Sequence, residues 1–421
     1  MPSSERASLR RRILGLEIAS RPGTIEKTPE GDWSVPSQTT FGRYCVRIRD
    51  GRAWCTCPDF QTRHNVQSAT NCKHIFAVMA LLDPPAVQKA AVGGSARTHY
   101  DQHPSYTKAQ SQELRLVDRL LRDLVDGVDD FPRTPGLPGP RPNPLRDDIY
   151  CAILKVFSGL SGRRAVGVYA NVADRSLLTR TPSYAVASNL LTRPEVTPIL
   201  YHLLGVSAAP LASLEHGGVV APDSTGVQTT TFGAWREAKH GETRMKKWLK
   251  VHAIVGTKTH VIISAIVGDE NTADAPNFIP LLRNTIQAGF RPAQVVADKG
   301  YLSQLNYAGA EELGLDAYIP FKRDTISNEI RRLRGRPAPA SWERAFHLFQ
   351  ANREEFERSY HRRSNVEAVF SALKRKFGEN VRSRTPAAQV NEIISKLICY
   401  NLTVVVHEMF EHGIAPDFER N

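Results

Sequence analysis

The sequence predicts an α/β protein in which a mixed sheet flanked by helices follows a helical region and a small Cys/His module. Two apolar segments, 219–223 and 293–298, each end in Asp, as buried strands that deliver an acid do. Pairs of Cys and His residues are clustered within 55–74, far from those strands. With 421 residues, the chain is long enough for two or three domains, each with its own core.

The amino-terminal module carries four potential metal ligands, Cys55, Cys57, Cys72 and His74. They form a Cys-x-Cys and a Cys-x-His pair with fourteen residues between the pairs. Three thiolates and one imidazole suit a closed tetrahedral zinc site of the structural kind. The alternative is that free thiols happen to lie close together in the sequence.

The residues around these ligands predict a short hairpin formed by 41–49 and 52–55, followed by a helix over 72–82. Cys45 lies nearby, but its spacing fits no ligand pair, and we expect it to pack on the hairpin. Six cysteines, three of them clustered, fit metal binding in a reducing compartment better than a disulfide framework.

The middle of the chain is predicted to be helical. Periodicity is lost over 84–96, which is typical of a linker, and an amphipathic helix is predicted over 106–128. Six prolines within 131–145 predict a stiff connector. Four shorter helices with nearby arginines follow within 146–205. They fit a helix-turn-helix reader of DNA ends and an all-helical brace on the next domain equally well.

The region from 216 onward has the pattern of strand, hairpin, helix, strand, helix, strand, helix. The predicted elements are a strand at 219–223, a hairpin at 248–255 and 260–267, a helix at 277–288, strands at 293–298 and 318–321, and an apolar helix at 390–410. An Arg- and Pro-rich insertion is expected over 322–346.

Near the carboxyl end, the segment 360–374 has no Pro or Gly and predicts a helix. Tyr360, Arg363 and Lys374 lie at positions −7, −4 and +7 from Glu367, so all four fall within an arc of roughly 60° on such a helix. A carboxylate can hold a divalent metal, and Arg and Lys can hold phosphate. The alternative is a solvated charged face with i,i+4 pairing of Arg363 and Glu367.

The charge distribution favours nucleic acid as a partner. The formal net charge is +12, and residues 322–384 contain sixteen Lys or Arg against eight Asp or Glu. The densest stretch, 331–336, has four arginines close to the Glu367 segment. A local excess of cations around a carboxylate helix is more typical of a polyanion-binding surface than of one that binds acidic protein or membrane.

Three motifs together resemble the DDE transposases of bacterial and archaeal insertion sequences that carry a Tyr-Arg-Glu-Lys signature. Tyr-x2-Arg-x3-Glu-x6-Lys around Glu367 resembles that signature. Asp223-Ser-Thr-Gly resembles the first acid motif and Asp298-Lys-Gly-Tyr the second, and the three acids follow one another at similar intervals along the chain. The Cys/His module resembles the SWIM zinc finger, including Pro-Asp-Phe after the first pair and Lys-His-Ile at the second.

The resemblance implies a ribonuclease-H-like core and roles for individual residues. The implied ligands of two catalytic magnesium or manganese ions are Asp223, Asp298 and Glu367. The implied DNA contacts are Tyr360, Arg363, Lys374 and, with less weight, Lys299. The implied domains are an amino-terminal region 1–92 with a SWIM-type finger over about 41–82, a helical domain 99–215 that either binds DNA ends or braces the next domain, and a catalytic domain 216–410.

The expected function is that of a DNA transposase. Such an enzyme binds the terminal repeats of its insertion sequence, cuts them and transfers the 3′-hydroxyl ends to target DNA, and we expect a homodimer in the synaptic complex. The alternatives are a nuclease of the same fold and a zinc-containing DNA-binding regulator derived from a transposase. Because no uninterrupted apolar stretch approaches the ~20 residues that span a bilayer, we expect no membrane partner and a cytoplasmic, nucleoid-associated protein.

Overall fold

The computed structural model describes most of the chain. The described residues are 25–37, 42–49, 52–64, 71–82, 103–132, 142–229, 248–322 and 338–418, with the single positions 11, 14, 15, 18, 19, 325, 331 and 335. They form two compact units, Met1–Thr98 and His99–Asn421. The predicted linker 84–96 and most of the Pro-rich connector 131–145 lie outside the described residues.

Within the described parts of 25–82, the amino-terminal unit forms a four-stranded antiparallel sheet with two helices. Its strands, in the spatial order β1-β2-β3-β4, are β1 (Glu26–Lys27), β2 (Trp33–Pro36), β3 (Arg43–Arg49) and β4 (Arg52–Cys55). Its helices are α1 (Pro58–His64) and α2 (Lys73–Leu82). The predicted β3–β4 hairpin and the predicted helix over 72–82 are confirmed, whereas β1, β2 and α1 were not predicted.

An ion pair between a buried aspartate and a half-exposed arginine supports the sheet of this unit. Asp32, which is 3% exposed, accepts hydrogen bonds from Arg47 Nε at 2.9 Å and Nη2 at 2.7 Å. These bonds hold the pKa of Asp32 below its ordinary value of 3.8. Cys45 Sγ lies 3.7 Å from the same carboxylate, so this thiol packs on the hairpin as expected.

The second unit begins with helices. They are α3 (Pro104–Val125), α4 (Leu145–Ser158), α5 (Gly162–Asp174), α6 (Val186–Leu191), α7 (Thr197–Ala208) and α8 (Ala212–Glu215). The four short helices predicted within 146–205 are confirmed to within a few residues at their ends, which is the usual uncertainty of helix boundaries.

A five-stranded mixed sheet follows in the same unit. Its strands are β5 (Val219–Gln228), β6 (Trp248–Gly256), β7 (Ile262–Asp269), β8 (Gln294–Val296) and β9 (Asp316–Tyr318), in the order β7-β6-β5-β8-β9. β5, β6 and β7 pair antiparallel, whereas β8 is parallel to β5 and to β9. The helices are α9 (Phe278–Gln287), α10 (Gln304–Glu312), α11 (Ala340–Ala351), α12 (Arg353–Tyr360), α13 (Ser364–Phe377) and α14 (Pro386–Glu411).

The long helix α14 joins the helical region to the sheet. It packs on α3, α4 and α7 and also on β7. Asn401, fully buried, accepts a hydrogen bond from Ile262 N at 2.9 Å and donates one to Ile262 O at 2.7 Å, which satisfies the backbone at the sheet edge. One hydrophobic core therefore includes residues from both 99–215 and 216–410. The boundary between these segments as separate domains stays a prediction.

Two segments of this unit have the length and composition of a candidate membrane span, Pro194–Glu215 and Pro386–Glu411. Both reach a mean hydropathy of 1.3, although each also contains charged residues. The apolar window of the second segment is 83% buried within the protein, as in the core helix of a globular domain. Two such helices are weak support for a membrane span.

Candidate metal-binding and catalytic sites

The four predicted zinc ligands converge in the amino-terminal unit. Cys55 closes β4, Cys57 follows it, and Cys72 and His74 lie at the start of α2; all four side chains are buried. Their ligand atoms all lie within 4.8 Å of one another, and His74 Nδ1 is 4.0 Å from the Sγ atoms of both Cys55 and Cys72. These separations are close to those of atoms that share a tetrahedral ion through bonds of about 2.0–2.3 Å.

The electrostatics of this cluster favour a metal cation. Hydrogen bonds from the thiols of Cys55 and Cys72 hold the pKa of the Cys57 thiol far below its ordinary value, whereas the hydrogen bond to Cys57 raises the pKa of Cys55. The Nε2 atom of His74 is buried without a hydrogen-bond partner among the described residues. Zinc would deprotonate all three thiols and compensate their charge, so this donor set fits a structural zinc ion.

The first two acids of the predicted catalytic site lie on neighbouring parallel strands. Asp223 is the fifth residue of β5, and Asp298 lies two residues beyond the end of β8. The paired residues Val219 and Gln294 are separated along the chain by the same number of positions as the two acids. Continuing that register along both strands brings Asp223 and Asp298 to the same face and the same edge of the sheet.

The third acid, Glu367, is linked to this edge of the sheet by the side chain of an arginine. Glu367, in the first turn of α13, accepts a hydrogen bond from Arg363 Nη2 at 2.6 Å. Arg363 Nη1 donates to Asp223 Oδ2 at 3.2 Å, so one guanidinium bridges two of the three acids. Arg363 and Asp223 each expose 19% of their side chains, whereas Glu367 exposes 62%. The i,i+4 pairing of Arg363 and Glu367 predicted as the alternative interpretation is therefore present, together with a long-range pair.

Burial and neighbouring charge act against ionisation of Asp223. Burial raises its pKa above 3.8, and the charges of Asp298 and Glu367 act in the same direction. The backbone N–H of Ser224, which donates to Oδ1 at 2.8 Å, and the charge of Arg363 act in the opposite direction without cancelling the rise. The three acids are thus close enough to repel one another, as expected where a cation is to bind.

The oxygen atoms of the three carboxylates nevertheless do not converge as the ligand atoms of the Cys/His cluster do. Among the described residues, only the group at 55–74 brings three or more metal-ligating side chains close enough to hold an ion. Arg363 lies between Asp223 and Glu367 and provides positive charge there. The hard carboxylate oxygens of Asp223, Asp298 and Glu367 are of the type that magnesium or manganese prefers.

The predicted continuous helix over 360–374 is wrong at its amino-terminal end. Tyr360 is the last residue of α12, His361–Arg363 form a single 3₁₀ turn, and α13 starts at Ser364. A 3₁₀ turn winds more tightly than an α-helix, so the angles calculated for a continuous helix do not apply across it. The turn places Arg363 beside both Tyr360 and Asp223.

Two of the predicted phosphate-binding lysines are available for a ligand. Lys299 is exposed and Lys374 is half-buried, and neither forms an ion pair within the described ranges. By contrast, Lys376 is paired with Glu113 at 2.6 Å. Of the Arg-rich stretch 331–336, only Arg331 and Gly335 are described, and the Arg331 guanidinium lies 5.5 Å from the ring centroid of Trp342.

Sequence reasoning missed a polar cluster on the face of the sheet opposite Asp223, composed of Lys250, His252 and Asp274. Its signal is an alternation of Lys and His with buried apolar residues on β6. Polar side chains that point inward from a strand need partners. Because Asp274 is distant from β6 in the sequence, the sequence pattern did not identify it as the partner of these side chains.

Comparison with known families identifies two domains in the chain. Residues 216–402 match the model of the transposase DDE domain, and residues 44–83 match that of the SWIM zinc finger. The chain therefore contains a transposase-type domain and a zinc-finger module. Specifically, it contains a transposase DDE domain that includes Asp223, Asp298 and Glu367, and a SWIM zinc finger that includes all four Cys/His ligands.

A solved structure with similarity to this chain is the piggyBac transposase synaptic complex with hairpin DNA, determined by cryo-electron microscopy. The similarity covers 72% of this chain and 74% of that one, at 11% sequence identity and a TM-score of 0.34. A similarity of this size supports no conclusion about the fold or the site.

Proposed function

We propose that this protein is a DNA transposase that binds the ends of its insertion sequence and catalyses metal-dependent strand cleavage and strand transfer. The match of residues 216–402 to the transposase DDE domain supports the general activity. The observation that carries the specific proposal is the register of β5 and β8, which aligns Asp223 with Asp298, together with the link from Asp223 to Glu367 through Arg363.

The sheet supports a ribonuclease-H-like core as part of this proposal. Three antiparallel strands, β7, β6 and β5, form one side of the sheet, and the parallel strands β8 and β9 continue it beyond β5. Asp223 lies on the central strand, and Asp298 follows its parallel neighbour. Ligands bind at such a point in open α/β sheets, where the strand order reverses.

In the proposed reaction, Asp223, Asp298 and Glu367 hold two magnesium or manganese ions. Such ions, when bound, activate the attacking water or 3′-hydroxyl and stabilise the leaving oxygen. Arg363 exchanges a carboxylate for a DNA phosphate, which its planar fork binds through two hydrogen bonds. Lys299 and Lys374 contribute further phosphate contacts, and Tyr360 hydrogen-bonds or stacks at the cleaved end.

The other parts of the chain have proposed roles in assembly. The SWIM zinc finger recognises the terminal repeat or a protein partner, and the helices of 99–215 bind DNA ends or brace the catalytic sheet. The active form is proposed to be a homodimer that pairs two element ends in the nucleoid. The basic balance of the chain, +12 at pH 7, supports a polyanionic partner.

The test is cleavage of a supercoiled plasmid that carries this gene with its native flanking DNA, in magnesium or manganese, with the junctions sequenced. We expect breaks at two repeat ends with the wild-type protein and no breaks with Glu367→Gln or Asp223→Asn. Folding and DNA binding should be retained in both variants. Glu354→Gln, an exposed acid on α12, is the matched control and should cut normally.

The products separate the alternatives. Breaks without joined ends would indicate a nuclease of the same fold. Binding without breaks under several metals would indicate a regulatory protein on an inactive transposase fold. Cleavage retained by both acid variants would refute the assignment of the site.

A further inference from the structure

A polar cluster lies behind the turn that carries Asp298. Lys250 and His252 are two residues apart on β6, so their side chains share one face of the sheet. The Oδ1 atom of Asp274 lies 2.9 Å from Lys250 Nζ and 3.2 Å from His252 Nδ1. Lys250 Nζ also donates to Thr272 O at 3.1 Å, just before Asp274 in the chain.

This cluster is separate from the three acids. On β5 and β6, Asp223 pairs with Ala253, whereas His252 pairs with Ser224, so His252 faces the opposite side of the sheet from Asp223. His252 is fully buried, and neither of its ring nitrogens has an aligned hydrogen bond within the described residues. The approach of His252 Nδ1 to Asp274 is therefore a close electrostatic contact.

Burial affects the charge of the histidine in this cluster. Burial lowers the pKa of His252 below 6.5, an effect that the nearby charge of Asp274 does not reverse. The imidazole is consequently neutral near pH 7, and the positive charge that faces Asp274 belongs to Lys250. A buried side chain without a full set of hydrogen bonds costs free energy, and such a cost is typical of residues that position a functional site.

The cluster is tied directly to the Asp298 turn. A Cβ atom on Gly300 would lie 3.0 Å from Asp274 Oδ2, so the backbone of the turn rests against this carboxylate. Asn306 Nδ2 donates to Ala275 O at 3.0 Å and to Tyr301 O at 2.8 Å, which links the residue after Asp274 to the end of the turn.

Tyr301 anchors the same turn from its other end. Its side chain is 1% exposed, its ring centroid lies 5.8 Å from that of Phe278, and its backbone N–H donates to Asp298 O at 3.0 Å. The turn that presents Asp298 is therefore fixed between a buried aromatic contact and the Asp274 carboxylate.

We propose that Asp274, paired with Lys250 and lying beside the buried His252, is a positioning residue that fixes the position of the Asp298 turn and so sets the metal affinity of the second acid. The inference rests on the proposed function, because it requires Asp298 to be a metal ligand. Partners behind a ligand change metal affinity or activity by about 10–100-fold when removed.

The test is direct titration of the full-length, zinc-loaded protein with Mn²⁺ in the absence of DNA, with free Mn²⁺ measured by electron paramagnetic resonance. We expect Asp274→Asn to weaken Mn²⁺ binding by about 10-fold or more. DNA-end affinity and the thermal midpoint of the second unit should change little. Asp316→Asn, an exposed acid on β9, is the matched control and should bind Mn²⁺ like the wild type.

A second variant keeps the charges intact. Gly300→Ala brings a methyl group to 3.0 Å from Asp274 Oδ2 and should displace the turn by a few tenths of an ångström. We expect it to weaken Mn²⁺ binding in the same direction as Asp274→Asn. This variant decides the question if Asp274→Asn fails to fold.

Asp298→Asn separates this inference from the proposed function. Loss of Mn²⁺ binding in Asp298→Asn with wild-type binding in folded Asp274→Asn or Gly300→Ala would overturn the inference and leave the function standing. Wild-type binding in Asp298→Asn would overturn the ligand assignment and, with it, this inference. A loss of Mn²⁺ affinity in Asp274→Asn that is accompanied by a large fall in the thermal midpoint of the second unit would also overturn it, because it indicates a purely structural role.

Discussion

The two candidate metal sites of this protein are built in different ways. The zinc ligands come from residues 55–74, converge to within 4.8 Å and are buried. The acids come from residues 223–367, remain partly exposed, and two of them are bridged by an arginine. A site formed by a short stretch of chain is preorganised by its own hairpin and helix. In the site formed from distant elements, the guanidinium of Arg363 lies between two of the acids.

These differences are the ones expected between a site for a structural ion and a site for a catalytic ion. A structural zinc site has a closed shell, and binding of the ion is coupled to folding. A catalytic site needs open positions for water and phosphate, and the fold must remain stable without its ions. The sheet and α14 form a core that does not depend on the three acids, which agrees with this requirement.

The largest effect is expected from breaking the zinc site. Cys72→Ser removes one of four ligands, and structural zinc contributes about 10–16 kcal/mol of apparent binding free energy in zinc-finger peptides. We expect the variant to lose its zinc and residues 25–82 to lose protection from hydrogen exchange, measured by metal analysis and mass spectrometry. Peptides of the second unit should be unaffected.

Cys45→Ser is the matched control, because Cys45 lies beside Asp32 and outside the ligand group. It should retain its zinc and its protection. Full zinc content in Cys72→Ser would contradict the ligand set.

An intermediate effect is expected from removing the arginine that bridges the acids. Arg363→Gln takes one positive charge from beside Asp223 and Glu367, and one unit charge at about 4 Å is worth roughly 1 kcal/mol or more near water. We expect Mn²⁺ to bind the DNA-free protein about 3- to 10-fold more tightly. Cleavage should fall by about 10–100-fold, because a charge-assisted phosphate contact is lost.

Arg362→Gln, an exposed neighbour in the same turn, controls for the change in net charge. Weaker Mn²⁺ binding in Arg363→Gln than in Arg362→Gln would mean that the guanidinium supports the acids rather than competing with a metal ion.

The smallest effect concerns a carboxylate that already has its partners. Asp147 is buried and accepts hydrogen bonds from Arg122 Nη1 at 2.8 Å and Thr179 N at 3.1 Å. Although burial acts to raise its pKa, these partners hold the pKa of Asp147 below 3.8. Its stabilising contribution is therefore present above pH 3.8 and is lost as the pH falls through the lowered folded-state value.

We expect Asp147→Asn to lower the free energy of unfolding by about 1 kcal/mol at pH 7. The difference from the wild type should shrink below pH 3.8. Urea titrations at several pH values measure it, with Asp129→Asn, an exposed acid outside this ion-pair network, as control. A difference that grows as the pH falls would contradict the assignment.

The sequence predicted the elements that follow from local patterns. The apolar strand that carries Asp223, the β6–β7 hairpin and the short helices within 145–208 have periodicities that packing preserves. The strand was predicted to end at Asp223 but continues to Gln228. The zinc ligands were also predictable, because a hairpin and a helix that adjoin in the chain fix their approach.

The features that the sequence did not predict depend on contacts that lie outside the local sequence pattern. The two-residue strand β1 forms only through its pairing with β2. The break at His361–Arg363 occurs in a segment of good helix formers, where tertiary contacts of Arg363 override local propensity. The partner of His252 lies beyond the next strand, in a loop, so the spacing of this histidine resembles that of an ordinary core residue.

The position of α14 has a consequence for synthesis of the chain. This helix occupies the core of the second unit, yet residues 386–411 are made long after Asp223. At about 5–20 residues per second, roughly 10–40 s separate the appearance of the first acid from completion of the helix. During that interval the growing sheet has no α14 to cover it, and the apolar surface that α14 later buries is exposed to aggregation.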